Sequence, residues 1–223
     1  MQTEDTGTQG AGNVEFENGL SRSQVAGGSS FEYAPQLSFG VLPALDLLVQ
    51  ASRLSQYAAG SGRVRGWGDT NLDAKWRFFR AAPVSFALRG GVALPTGTHG
   101  LGLHAGTLAA HALLVASIDA APCALHGNLG YARAPAGSGR RKELGHVSSA
   151  LMWAASERLT LALEGAADSH AERSRSSWPA TVLAGAVWTI QPGLDVDLGV
   201  QSVVRSASPS RNWLVGLTYR FTP

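Results

Sequence analysis

The sequence predicts an all-β fold: a single closed antiparallel transmembrane β-barrel of twelve strands, with short periplasmic turns and longer extracellular loops. Three observations lead there. Stretches of about ten residues alternate apolar and polar side chains, which is the period of a strand with two unlike faces. Short and long connections alternate between these stretches, as they do in bacterial outer-membrane barrels. Composition is the third: 15% charged residues and 27 glycines in 223, against about 25% charged and about 7% Gly in ordinary soluble domains. Only Lys75 and Lys142 represent lysine, too few for the watered faces of a soluble sandwich of this size. No blade-length repeat marks a propeller. No apolar run reaches the ~18 residues that a membrane-spanning helix needs.

The opening Met1-Gln2-Thr3-Glu4-Asp5 is polar, with neither a basic n-region nor an apolar h-region, so no secretory signal peptide is expected in this chain. Residues 1–11 read as a flexible N-terminal segment and 12–221 as the barrel. The strands are expected at 12–21, 31–41, 44–53, 69–80, 83–94, 104–117, 121–133, 143–155, 158–169, 178–190, 193–203 and 211–221. In the first, Val14 and Phe16 oppose Glu15 and Glu17; in the fourth, Leu72, Ala74, Trp76 and Phe78 oppose Asn71, Asp73, Lys75 and Arg77. Leu159, Leu161 and Leu163 oppose Thr160, Ala162 and Glu164. Leu194, Val196 and Leu198 oppose Asp195, Asp197 and Gly199. The last strand sets Trp213, Val215, Leu217, Tyr219 and Phe221 against Asn212, Leu214, Gly216, Thr218 and Arg220. Tight bends fall at Leu42-Pro43, Ala81-Ala82, Asp119-Ala120, Ser156-Glu157 and Gln191-Pro192. The longer links include Ser55 to Gly68, Pro95 to Leu103 and Ala134 to Lys142.

In hydrocarbon an open sheet edge would leave unpaired N–H and C=O groups, so the sheet must close. With the apolar faces to lipid, the pore-lining residues are Glu15, Glu17, Glu32, Asp46, Asp69, Asp73, Lys75, Arg77, Arg89, Glu164, Asp195, Asp197 and Arg220, joined by His111 and His126. The turn at Ala81-Ala82 brings Arg89 opposite Asp73 or Lys75, and charge selects an Asp73–Arg89 ion pair. Closure pairs the last strand with the first, with Arg220 against Glu15 or Glu17 and Phe221 toward lipid. Most of the 18 basic residues, Arg22, Arg53, Arg63, Arg65 and Arg211 among them, fall in or beside the long loops. There they would suit anionic lipopolysaccharide head groups.

Gly68-Asp69-Thr70-Asn71-Leu72-Asp73-Ala74-Lys75-Trp76-Arg77-Phe78 followed by Leu94-Pro95-Thr96-Gly97 resembles the signature of the outer-membrane transporters associated with the meta-cleavage pathway of phenol degradation. The opening Thr3 to Gly10 and the ending Trp213 to Phe221 are similar to the two ends of mature members. The resemblance implies the outer membrane of a Gram-negative bacterium. It also implies assembly through a terminal strand read by barrel assembly machinery, and passive uptake of small molecules, aromatic or hydrophobic ones among them. The alternative is a structural or surface-binding barrel with an occluded lumen and basic loops contacting lipopolysaccharide or polysaccharide.

No enzyme, cofactor or nucleic-acid partner is expected. His146, Ser148 and Asp168 are the residue types of a hydrolytic triad, but no Gly-x-Ser-x-Gly elbow frames the serine. His99, His104, His111 and His126 lack a metal-ligand spacing. Asp195 and Asp197 alone are short of the oxygens that Ca²⁺ takes. The single Cys123 reads as a small hydrophobe on the lipid face.

Overall fold

In a computed structural model, the described residues are 1–25, 27–60, 62–98, 107–133, 140–205 and 210–221. They form fourteen strand segments: β1 (Val14–Val25), β2 (Gly28–Leu42), β3 (Leu45–Gln50), β4 (Arg53–Ala58), β5 (Gly62–Trp67), β6 (Thr70–Ala81), β7 (Val84–Leu94), β8 (Ala109–Ala120), β9 (Cys123–Arg133), β10 (Glu143–Ala154), β11 (Leu159–Asp168), β12 (Ala180–Gln191), β13 (Leu194–Arg205) and β14 (Arg211–Phe221). Every pairing is antiparallel between neighbours in the wall, and β1 pairs with both β2 and β14, which closes the barrel.

Fourteen segments make twelve staves. The lower part of β2 pairs with β3 and its upper part with β4. β3 pairs with β6 while β4 pairs with β5. So β3 with β4 is one stave interrupted at 51–52, and β5 with β6 is the next, interrupted at 68–69. This corrects the expected long link from Ser55 to Gly68, which is instead a hairpin that continues the wall upward. The expected alternation of link lengths also fails there: β1 and β2 are joined through 26–27 alone, on the long-loop side. Both corrections share a cause. Polar residues such as Ser55, Gln56, Arg63 and Arg65 look like loop, but above the hydrocarbon a strand has no apolar face to display. The expected sixth strand begins at 104 and β8 at Ala109; His99 and His104 lie outside the described residues.

Register follows the apolar rows. Trp76, Trp153, Trp188, Trp213 and Phe221 are exposed on the outside, whereas Glu15, Asp46, Asp73, Lys75, Glu164 and Gln201 are buried within. The inversion is that of a protein whose outer solvent is lipid. On β6 a bulge sets two residues, Arg77 and Phe78, against the single Ala87 between the pairs Trp76↔Leu88 and Phe79↔Phe86. It brings Phe78 and Phe79 into contact with Phe86 on the outer face. Arg77 and Arg80 both end at one cavity near the short turns. Strict alternation places Arg80 outside, so the bulge is what sequence parity misses.

With this much exposed apolar surface, the folded protein is expected to stay in solution only with detergent. On an unboiled gel it should run as a compact, heat-modifiable band. A freely soluble monomer without detergent would defeat the membrane-barrel assignment.

Candidate functional site: the polar lumen and its crossing strap

Residues 1–13 run through the lumen, where 1–11 were expected as a flexible segment. Before β1 the chain turns at Gly10 and Gly12, whose φ of +81 and +83 suit glycine. Gly12 donates its N–H to Gly40 O, and Gly40 donates back to Asn13 O. A Cβ at Gly40 would sit 1.8 Å from Gly10 O, so only glycine on β2 lets the turn approach this closely.

From there the strap is held by side chains of the wall. Gln9 donates its amide to the Asp46 carboxylate at 3.0 Å and its side chain to Glu15 at 2.7 Å. The Thr6 amide donates to Ser117 Oγ at 3.1 Å, and its hydroxyl meets Ser85. Glu4 and Asn128 exchange two bonds, Glu4 N to Oδ1 at 2.7 Å and Nδ2 to Glu4 O at 2.9 Å. The amides of Gln2 and Thr3 both donate to Glu164 Oε2, at 2.8 and 2.9 Å. A chain crossing a lumen must satisfy its own backbone groups, and here wall carboxylates, amides and hydroxyls take that part.

The strap also neutralises the wall. Lys75 and Arg89 face each other directly in register, an arrangement that is unfavourable between like charges. The Glu4 carboxylate lies between them, 3.2 Å from Lys75 Nζ and bonded to Arg89 Nη1. Asp5 adds a second carboxylate 3.5 Å from Lys75. Arg89 reaches diagonally to Asp73 at 2.6 Å, and Asp73 also accepts from His111 at 2.7 Å. The expected Asp73–Arg89 pair is present, although its register partner is Lys75.

At the seam, Arg220 is paired with Glu15 in register and lies 2.6 Å from its Oε2. Its Nη1 meets Asp195, which also accepts from Thr189 at 2.7 Å. Phe221 is exposed on the outside. Both features match the expected closure.

The remaining expected residues take varied positions. Glu17 accepts from Gln36 and, with Asp197, lines a cavity of about 470 Å³ beside β12 to β14. Arg77 donates to Pro43 O at 3.3 Å. Glu32 is half-buried on β2. Asp69 stands between β5 and β6 and accepts the Gly97 amide at 3.0 Å, so it fastens an outer loop. A second cavity of about 420 Å³, toward the long-loop side, meets Glu4, Asp73, Arg89, His111, Leu113, Tyr131, Leu144 and His146. A third, of about 220 Å³ at the short-turn side, meets Asp5, Thr6, Arg77, Arg80 and His126. Glu4 and Asp5 each border two of these spaces, so the strap is the partition between them. Sequence reading misses this whole contribution. The available signal was charge: Glu4-Asp5 in a segment without period, set against Lys75 and Arg89 on neighbouring staves.

His146 Nδ1 meets Asp168 at 2.7 Å and its Nε2 meets Ser148 Oγ at 3.1 Å. This reproduces the connectivity of a Ser-His-Asp relay, but Ser148 is buried at 5% exposure; His146 and Asp168, rather than the serine, face the second cavity.

The family model described as "Putative MetA-pathway of phenol degradation" matches residues 2–221. No curated protein sequence matches the chain. Among solved structures the chain is similar to an outer membrane channel from Pseudomonas putida F1, at 11% identity and a TM-score of 0.82, covering 99% of this chain and 100% of that one. It is similar to the KdgM porin in complex with disordered oligogalacturonate, at 12% identity and a TM-score of 0.61, covering 92% and 99%. It is also similar to the P. putida toluene transporter TodX, at 7% identity and a TM-score of 0.54, covering 95% and 90%. At these identities the likeness is one of fold, the closed barrel of outer-membrane channels.

Proposed function

We propose, from the premise that this chain belongs to the MetA-pathway family of phenol degradation, that it is an outer-membrane channel for passive uptake of small molecules, hydrophobic and aromatic ones included. The carrying observation is the cavity of about 420 Å³ on the long-loop side, where Leu113 and Leu144 stand beside Asp73, Arg89 and His111. Its volume lies in the ~300–1,000 Å³ range of small-molecule sites, and apolar groups set beside fixed polar ones are how such sites hold and orient a solute. The strap below it leaves little room for bulk flow of hydrated ions, which favours a solute-selective channel over a general porin. The toluene transporter lends support through shared architecture. The pore-lining role belongs in this reading to Glu15, Glu17, Asp46, Asp73, Lys75, Arg89, Asp195, Asp197 and Arg220, and the membrane to that of a Gram-negative outer envelope.

The strap equally favours a second reading, a structural barrel with a closed lumen. Single-channel recording in planar bilayers separates the two. A channel gives small, resolvable currents that phenol interrupts in a concentration-dependent way. No current from the intact chain, and none after removal of residues 2–9, would leave only the closed barrel.

A further inference from the structure

Five arginines stand on the outer face of the barrel at its long-loop end, on adjoining rows of the wall. One row runs Val215, Leu20, Tyr33, Arg53 and Trp67. The next runs Trp213, Arg22, Phe31, Ser55 and Arg65, and the third Arg211, Gln24, Ser29, Tyr57 and Arg63. Leu20, Phe31, Trp67, Trp213 and Val215 are exposed on the lipid side, and cross-strand partners share a face, so all five arginines point outward too. They are exposed, and none of the three rows contains a carboxylate. Among the described residues no ion pair involves any of them; Arg53 lies over the Trp67 ring, 5.5 Å from its centroid. Elsewhere at the rim the charge is balanced, as where Arg133 stands opposite Glu143.

Height fixes the environment. From Phe221, level with Val14, to Trp213, level with Arg22, the wall climbs eight residues. At ~3.4 Å per residue and a tilt of ~40° this is roughly 21 Å along the membrane normal, close to the ~25 Å apolar band of such barrels. The patch therefore begins where the outer hydrocarbon ends. The aromatics between the arginines are those of an interfacial girdle. A row of like charges on neighbouring staves repels itself, and arginine facing lipid is tolerated only at the interface. Both costs are removed by an anion at that height with oxygens for guanidinium forks.

We propose that this face is a binding site for the phosphorylated head group of an outer-leaflet glycolipid, the lipid A portion of lipopolysaccharide. Its phosphates would sit in the depression of about 370 Å³ bordered by Phe31, Tyr33, Arg53, Ser55, Arg63 and Arg65, with acyl chains lying down the apolar rows below. Arg22 and Arg211 extend the positive surface along β1 and β14 for a second phosphate. The β4–β5 hairpin, which lifts the wall above its neighbours, is what brings three of the five arginines to this level. The assignment rests on the outer-membrane reading, but not on transport.

Native mass spectrometry of the detergent-purified, heat-modifiable protein tests it, with diphosphoryl and monophosphoryl lipid A as probes. The intact chain should bind the diphosphoryl form more tightly. Changing Arg22, Arg53, Arg63, Arg65 and Arg211 to Gln should weaken it roughly a hundredfold or more, since each interfacial arginine adds to the attraction for an anionic head group. Changing Arg140, Arg141, Arg158, Arg173 and Arg175 to Gln, an equal loss of charge elsewhere, should leave it intact. If the fivefold variant does not fold, the pair Arg53→Gln and Arg65→Gln carries the same test. Equal binding by variant and intact chain, indifference to phosphate number, or full competition by millimolar inorganic phosphate would each overturn the proposal. Conductance recorded on the same variant keeps the readings apart: wild-type currents with lost lipid binding support both, and an intact chain that binds lipid A without conducting overturns only the channel.

Discussion

Removing residues 2–9 is expected to raise single-channel conductance several-fold and to turn the open lumen toward anions. The strap borders all three internal cavities, so its loss joins them into one path. Glu4 and Asp5 leave with it, while Lys75 and Arg89 remain on the wall, facing each other without the carboxylate that lay between them. Losing two negative charges beside two fixed cations shifts selectivity toward anions relative to the intact chain. Reversal potentials under a salt gradient measure this directly. Gly40→Val reaches a similar state without shortening the chain, because a Cβ there would meet Gly10 O at 1.8 Å and push the turn off the wall. Glu4→Gln should do less, since its backbone bonds with Asn128 survive. Unchanged conductance in both the deletion and the Gly40 variant would mean that ions do not pass where the strap lies.

The second large effect is at the seam. Arg220→Ala is expected to lower unfolding stability by about 1–2 kcal/mol, read as a lower temperature for conversion of the compact gel band. The Arg220 side chain is 45% exposed, which weakens each pair. Its partners are less accessible, Glu15 at 11% and Asp195 at 15%, and leaving two half-dry carboxylates together is the larger part of the cost. Glu15→Gln should cost less in the Arg220→Ala background than alone, because the interaction is already gone. Additive losses would show that Glu15 and Arg220 are not coupled.

The staves were legible in the sequence because the lipid writes one face of each: Trp213 to Phe221 and Leu159 to Leu163 can be placed by period alone. The seam was legible for the same reason, since a slip of one residue would put Arg220 into lipid and Tyr219 inside. Legibility stopped where lipid stopped. Above the hydrocarbon, Arg53 to Trp67 carries no continuous apolar face, since its outer rows mix Tyr57 and Trp67 with Arg53, Arg63 and Arg65, and its two strands read as loop. At the β6 bulge a run of three aromatic and basic residues, Arg77-Phe78-Phe79, fits either parity until the partner strand is known. The candidate lumen was half visible. Wall charges follow from parity, but the strap has no period at all, and its partners lie up to 162 residues away in the chain.

That separation bears on how the molecule comes together. Three of the bonds that hold the strap join residues 161, 124 and 111 positions apart, each closing a loop whose entropy must be met before any bond rewards it. Asn128, Ser117 and Glu164 become a receptor only once the staves that carry them have curved round, so the earliest residues of the chain dock late. A barrel without the strap would have its acidic and basic lining open to water, and toward it the first thirteen residues stand as a tethered ligand whose effective concentration is set by the length of the tether.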